Sequence, residues 1–553
     1  MAVTVRDYRP AVKATIERDA RLRERYLAAA LRQIPRLLGA IDRNPFHETY
    51  GCFDRQYWHY RTASFPSEMY QEAVLPLATV YATPLPGNHW YGEPRLKELA
   101  VAALRYSARA SHRDGSCDDY YPFERALGAA VFSLQAATRA YQLLQLNDAD
   151  LLAAMRQRAD WIARHDETGK LSNHHALAAL GLARLAKITG EPKWLQAAQD
   201  RIQRVLAWQS SEGWFEEYGG ADPGYQTVTI DVLAKLRRLL GDERLDEPLR
   251  RAVDFARLFL HPDGSFGGEY GSRGTYHFYP HGFELLAAEN AAAADLADGF
   301  LTALANGRTA SFDDDRMYAH RLANLLEAYL DWSPQRPEEQ SEPAEPDCRF
   351  LPHAGMLVER TRASMTVVSA ARGGVFKRFA GGCFSHTDAG LIIETTDGRQ
   401  AVSQCHDRQR QVTWLETGEL TIDGRLHWVK HETATPLKQS LFHIAMWTFG
   451  RWCRGLIRKL LQRRLITGRR ACPIRHTRRF EFSDDGTCHV TDHIELLDDS
   501  ISVQRMAFAS DLQSAYVAAA NVYQEGILQP RADLAGRIEE LNHNRRVFIE
   551  REL

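Results

Sequence analysis

Three short segments carry side chains able to move a proton or hold an anion. Ser172-Asn173-His174-His175 opens ALAALGLARLAKI, a run with helical periodicity. Ser172 or Asn173 would serve there as an N-cap, leaving His174 and His175 on the surface of the first turn. The same residues also suit anion binding: a helix N-terminus bearing Asn and His favours a carboxylate such as that of a uronic acid. Tyr225, in GGADPGYQT, precedes a second helical run. A lone Tyr there packs, whereas one beside cations can ionise as a general base or give its proton to a leaving oxygen. In GGCFSHTDAGLIIETTDG, His386 and Asp388 stand before an apolar strand as a turn, a metal half-site or a catalytic base. Cys405, His406, Asp407, His427 and His431 offer further ligands, but their spacing fits no zinc pattern. A structural divalent metal in this half, zinc or calcium, stays an open expectation.

Aromatic side chains surround the candidate chemistry. Tyr57 and His59 in QYWHY, Tyr120 and Tyr121 in DDYYPFER, and Trp214 in GWFEEY place rings beside acids, Arg and His. Arg273, Tyr276 and His277 belong to GSRGTYHFYPHG, the densest polar–aromatic cluster of the chain. Singly, such clusters pack loops and cores. Together they suggest stacking on pyranose rings, and hence a carbohydrate.

The elements that must position these residues divide in two. Residues 1–330 are Ala- and Leu-rich with helical periodicity; residues 348–553 are short β-rich runs bounded by Gly or Asp. Between them Asp331–Asp347, with four Pro and six acidic residues, reads as an extended linker. Within the helical half, Gly-containing loops recur at Gly115, Gly169, Gly213 and Gly264. Steps of about fifty residues fit two helices plus loops, so each repeat is a helical hairpin. Hairpins repeated in this way build a solenoid or an α/α toroid with the loops on one face, where a cleft belongs. The fold class read from these residues is multidomain, an all-α domain of helical hairpins followed by an all-β domain.

The chain has 553 residues, with 69 Lys+Arg against 71 Asp+Glu. That balance gives no bulk reason to expect nucleic-acid binding. Eight scattered cysteines without a CxxC read as thiols, and the charged N-terminus lacks the apolar run of a signal peptide. A cytoplasmic location is expected. The balance conceals one segment: Arg451–Arg479 holds 11 Lys/Arg and no acid, and without it the count is 58 against 71. With the upstream SLFHIAMWTFG, residues 441–479 read as an amphipathic insert for an anionic membrane surface or an acidic glycan. The alternative is a solvated cationic helix packed on the sandwich.

The chain resembles the heparinase II/III-like polysaccharide lyases. The resemblance rests on the domain order, on Asn173-His174 opening a toroid helix, on Tyr225 and on His386-Thr387-Asp388-Ala389-Gly390. It implies a fold of an N-terminal incomplete (α/α) toroid followed by an antiparallel β-sandwich, and β-elimination on a uronic-acid polysaccharide without a redox cofactor. Asn173, with His174, would neutralise the uronate carboxylate, and Tyr225 would be the acid and also the base when both atoms lie on one sugar face. His386 would be the second base candidate. Many relatives carry His-x-His-x-Asp at the last motif; here Phe384 takes the first position, which makes a metal-binding or structural role for His386 the alternative. A C5 uronyl epimerase and a non-catalytic glycan-binding or assembly protein at the membrane are the competing functions.

Overall fold

The computed structural model describes residues 15–167, 169–312, 316–337, 347–429, 435–462, 470–510, 523–524 and 526–553. Six inner helices succeed one another round a ring: Val74–Ala82, Leu127–Leu143, Ser172–Thr189, Pro223–Leu240, His281–Leu286 and Tyr318–Leu330. The last packs back against the first, so the hairpins form a toroid rather than a solenoid. A hydrogen bond from His320 Nδ1 to Glu72 Oε1 at 2.6 Å fastens the join. Inner helices such as Ser172–Thr189 are buried round nearly their whole circumference. Outer helices such as Pro192–Ala207 and Asp246–Arg257 bury one stripe and turn charges outward.

Each repeat loop runs from an outer helix to the next inner one, which places these loops on one end of the ring. Three of their four marker glycines share a structural job, whereas Gly169 stands in open space. A Cβ on Gly115, Gly213 or Gly264 would strike the backbone of the next outer helix, at Gln157, Arg251 or Gly299. All three have positive φ, so close approach and backbone conformation both demand glycine. Gly51 meets Ala102 in the same way and marks an earlier repeat that the sequence spacing did not reveal.

The C-terminal half packs a five-stranded antiparallel meander against a nine-stranded antiparallel sheet. The meander comprises Asp347–Leu351, Met356–Arg360, Ser364–Ser369, Val375–Ala380 and Cys383–Asp388. Met365, Val367 and Phe379 turn toward the helical core, whereas Leu357, Val368 and Phe376 fill the sandwich. The meander thus lies on the loop face of the toroid. Arg372 donates to the Gly271 carbonyl at 2.8 Å, and Glu212 accepts the backbone N–H groups of His353 and Ala354, also at 2.8 Å.

Two expectations change. Gln335–Pro337, assigned to the linker, is a strand paired with Thr15–Glu17, and Arg336 is buried in ion pairs with Glu284 and Asp298. Residues 338–346 lie outside the described part. The basic insert is also not one element. Pro436–Ala445 and Arg454–Gln462 are helices, whereas Arg470–Phe482 is a strand of the large sheet. Arg475 and Arg479 pair there with Asp423 and Glu419, and Arg478 is buried between acids.

Candidate active site

Helix Ser172–Thr189 begins under a short bridge between two repeat loops. Leu171 pairs with Glu217, and the Ser172 hydroxyl donates to the Glu216 carbonyl at 2.8 Å. Neither Ser172 nor Asn173 caps the helix, because the N-cap position falls on Leu171 and no side chain fills it. Asn173 is fully buried in the first turn, and among the described residues neither its amide oxygen nor its nitrogen completes a hydrogen bond of ordinary geometry. Such a group is costly to bury unless something else completes it.

The expected neighbours gather round it. His174 Nδ1 donates to Glu167 Oε2 at 2.5 Å. Burial opposes the charge on His174, but the Glu167 carboxylate outweighs it and raises the imidazole pKa. His175 is instead structural: burial and the nearby Arg201 push it down to about 4. Glu217 lies beside Asn173. Burial pushes its carboxyl up to about 7, against the charges of His174 and Arg273 and the Asn173 amide.

Helix Pro223–Leu240 supplies Tyr225. Proline at its first position and Asp222 as N-cap start the helix, with Asp222 Oδ1 accepting the Tyr225 N–H at 3.0 Å. Asp222 Oδ2 accepts the Arg273 N–H at 2.8 Å, tying the next repeat loop to the same helix end. The Arg273 guanidinium lies 3.8 Å from the ring centroid of Tyr218, itself within electrostatic reach of Tyr225. Tyr218 has φ 54, a strained conformation for a non-glycine residue. The Tyr225 hydroxyl is 4.0 Å from Met317 Sδ. Arg316, next in the chain, covers the Tyr120 ring at 4.0 Å and pairs with Asp119. Asn173, His174, Tyr225, Arg273 and Tyr120 therefore belong to one neighbourhood, completed by Glu217, Tyr218, Asp119 and Arg316.

Four other expected residues, Trp214, Tyr57, His59 and Tyr121, lie elsewhere. Trp214 is buried in the helical core with its indole N–H on Glu212, so it offers no stacking face. Tyr57 sits near Tyr106, and His59 is exposed between Trp58 and Tyr60. Tyr121 is covered by Phe442 of the insert. Tyr276 and His277 are buried, with Lys377 standing 4.8 Å from the Tyr276 ring centroid.

His386 needs the largest correction. A bulge in strand Cys383–Asp388 pairs Phe384 with Phe379 and His386 with Arg378, so the two side chains leave on opposite faces. Phe384 packs toward the helices, near Lys377. His386 turns into the sandwich beside Phe376, where burial lowers its pKa and Arg551 and Arg478 add to the effect. The face toward the toroid carries Lys377 instead, fully buried and 3.8 Å from Glu269. Among the described residues, neither Lys377 Nζ nor either Glu269 oxygen completes a hydrogen bond of ordinary geometry. From the far side of the interface His406 reaches the same loops, with Nε2 closing over Gly220.

Among the described residues no group of three or more His, Cys, Asp or Glu gathers to hold a metal. Asp407 stands 3.6 Å from His427, but His406 points to the toroid, and His431 lies outside the described residues.

No family model matches the chain, and no curated protein does. Among solved structures the chain is similar to a chondroitin AC lyase from Streptomyces coelicolor A3, at 14% identity over 89% of this chain and 67% of that one, with a TM-score of 0.46. A heparinase III aligns at 11% identity over 80% and 68% of the two chains, with a TM-score of 0.47. A heparan sulfate lyase from Pedobacter heparinus aligns at 13% over 92% and 72%, with a TM-score of 0.43. Likeness at this level leaves the chemistry to be argued from the side chains alone.

Proposed function

We propose that the protein is a polysaccharide lyase that cleaves a uronic-acid-containing glycan by β-elimination. The observation that carries this is the buried, uncompleted amide of Asn173 beside Glu217, at a helix N-terminus and within one neighbourhood with Tyr225. A uronate C5–H becomes acidic only when the adjacent carboxylate is neutralised. The Asn173 amide can donate to that carboxylate, and Glu217, protonated below about pH 7, can share its proton with it. His174 (paired with Glu167), Arg316 (paired with Asp119) and Arg273 (stacked on Tyr218) stand round them as cations.

Tyr225 then serves both proton transfers. As phenolate it takes H5, and the C5–H electron pair becomes the second bond between C4 and C5. The C4–O bond breaks with its electrons, and the phenol returns the proton to the leaving oxygen. The protein ends in its starting protonation state, and nothing is oxidised or reduced. One residue suffices when H5 and the leaving oxygen share a sugar face. An epimerase needs an acid and a base on opposite faces, and the placement of His386 inside the sandwich disfavours that reading.

The test is a panel of uronate polymers, including alginate, heparan and hyaluronan, followed by ultraviolet absorbance of the unsaturated end. Expected is new absorbance on at least one polymer, lost in Tyr225→Phe. Silence on every uronate polymer, or full activity in Tyr225→Phe, would overturn the assignment.

A further inference from the structure

The helices Pro436–Ala445 and Arg454–Gln462 form a unit that the cleft chemistry does not explain. The first continues through a π-turn to Gly450, and residues 451–453 bend the chain into the second. One side of the unit is anchored. Phe442 packs on Tyr121, Trp447 on Phe123, and Arg458 reaches Glu124 at 3.4 Å. Met446 and Gly450 are buried along the same side. The opposite side carries Leu437, Leu441 and Ile444 at helical spacing, followed by Phe449, Trp452, Leu456 and Leu460. All seven are more than half exposed, Leu437 and Trp452 about 70%. A soluble surface seldom gathers so many large apolar side chains into one patch.

Charge narrows what covers this face. Residues 436–462 contain five Lys/Arg and no Asp/Glu, with Lys438, Arg451 and Lys459 exposed beside the apolar stripe. A second copy docked by a two-fold axis would set those cations against themselves. A glycan offers hydroxyls, to which Leu and Ile side chains have nothing to give. Apolar side chains for acyl chains, Trp for the headgroup level and Lys/Arg for anionic headgroups form one consistent set. No described helix is long and apolar enough to cross a bilayer, so the face would lie in the interface.

We infer that this helical unit docks the protein on anionic lipid surfaces. Its anchored side rests on the 118–125 loop, which gives Asp119 and Tyr120 to the site, so docking brings the cleft close to the bilayer. The inference stands independently of the lyase assignment.

Flotation of the full chain with phosphatidylcholine vesicles, with and without phosphatidylglycerol, tests it. Expected is binding to the anionic vesicles at low salt, little to neutral ones, and release as salt shortens electrostatic reach. Trp452→Glu with Leu456→Glu, and separately Arg451→Glu with Lys459→Glu, should each weaken partitioning about tenfold or more. Unchanged melting temperatures exclude misfolding, since these side chains are exposed. No flotation with anionic vesicles at low salt would overturn the inference. So would variants that bind like the wild type, or self-association abolished by Trp452→Glu without any vesicle binding.

Discussion

In the sandwich, Arg478 and Arg551 are set between Asp388 and Asp492, at 2.6–3.0 Å, and His476 completes Asp492 at 2.7 Å. On the loop face of the toroid, Asn173, Glu217, Glu269 and Lys377 are buried as deeply, yet each leaves polar atoms without a hydrogen bond. The first cluster balances its charges within the protein and holds two sheets together. The second is arranged for something the protein does not itself provide. Single nitrogens of Arg478 and Arg551 also lack a hydrogen bond, so one unpaired atom does not mark a function; the loop face differs in leaving both polar atoms of Asn173 and both Glu269 oxygens without one.

That contrast yields predictions of decreasing size. Tyr225→Phe removes the proton carrier and should cost about 10²–10⁴-fold in kcat, with an unchanged melting temperature. Asp492→Ala should do the reverse, costing about 3–5 kcal/mol in denaturant unfolding because two arginines are left sharing Asp388 alone. Any residual folded fraction should keep its activity per molecule. Asn173→Ala should lower kcat about a hundredfold while shifting stability by no more than about 1 kcal/mol, since the Glu217 carboxyl is the one group the amide acts on. A large loss of stability there would erase the distinction between the clusters.

The smallest effect concerns pH. Burial holds Glu217 up at about 7, so between its unfolded value and 7 the folded state binds the extra proton. Stability therefore falls as pH rises through that window. Activity should decline on the same limb as Glu217 ionises, and Glu217→Gln, which keeps a donor, should flatten it. Rate–pH profiles of the two proteins check this.

Much of the architecture was legible because it depends on local pattern. Helical periodicity, the change to alternating strands and the recurring glycines identified the hairpins and the β-rich half, and the resemblance supplied the sandwich. Gly51 escaped because its step to Gly115 is longer than the others, although it makes the same backbone contact. The residues opening the inner helices were readable: Asn173 from its place in the first turn, Tyr225 from the Asp-Pro-Gly before it. Aromatic rings misled. In GWFEEY the Trp is core, and the acid three residues later faces the site. Nor does a single-residue bulge announce itself in sequence, yet it exchanges the faces of Phe384 and His386. Lys377 was missed for a related reason: VFKRFA reads as an ordinary strand, and only the sheet's docking on the toroid shows that this lysine points at a cleft wall.

The most direct test is a structure of the Tyr225→Phe protein with a uronate oligosaccharide bound. Expected is a uronate carboxylate within hydrogen-bonding reach of Asn173 and Glu217, with C5 facing residue 225. A sugar bound away from these residues, or a carboxylate turned from Asn173, would contradict it.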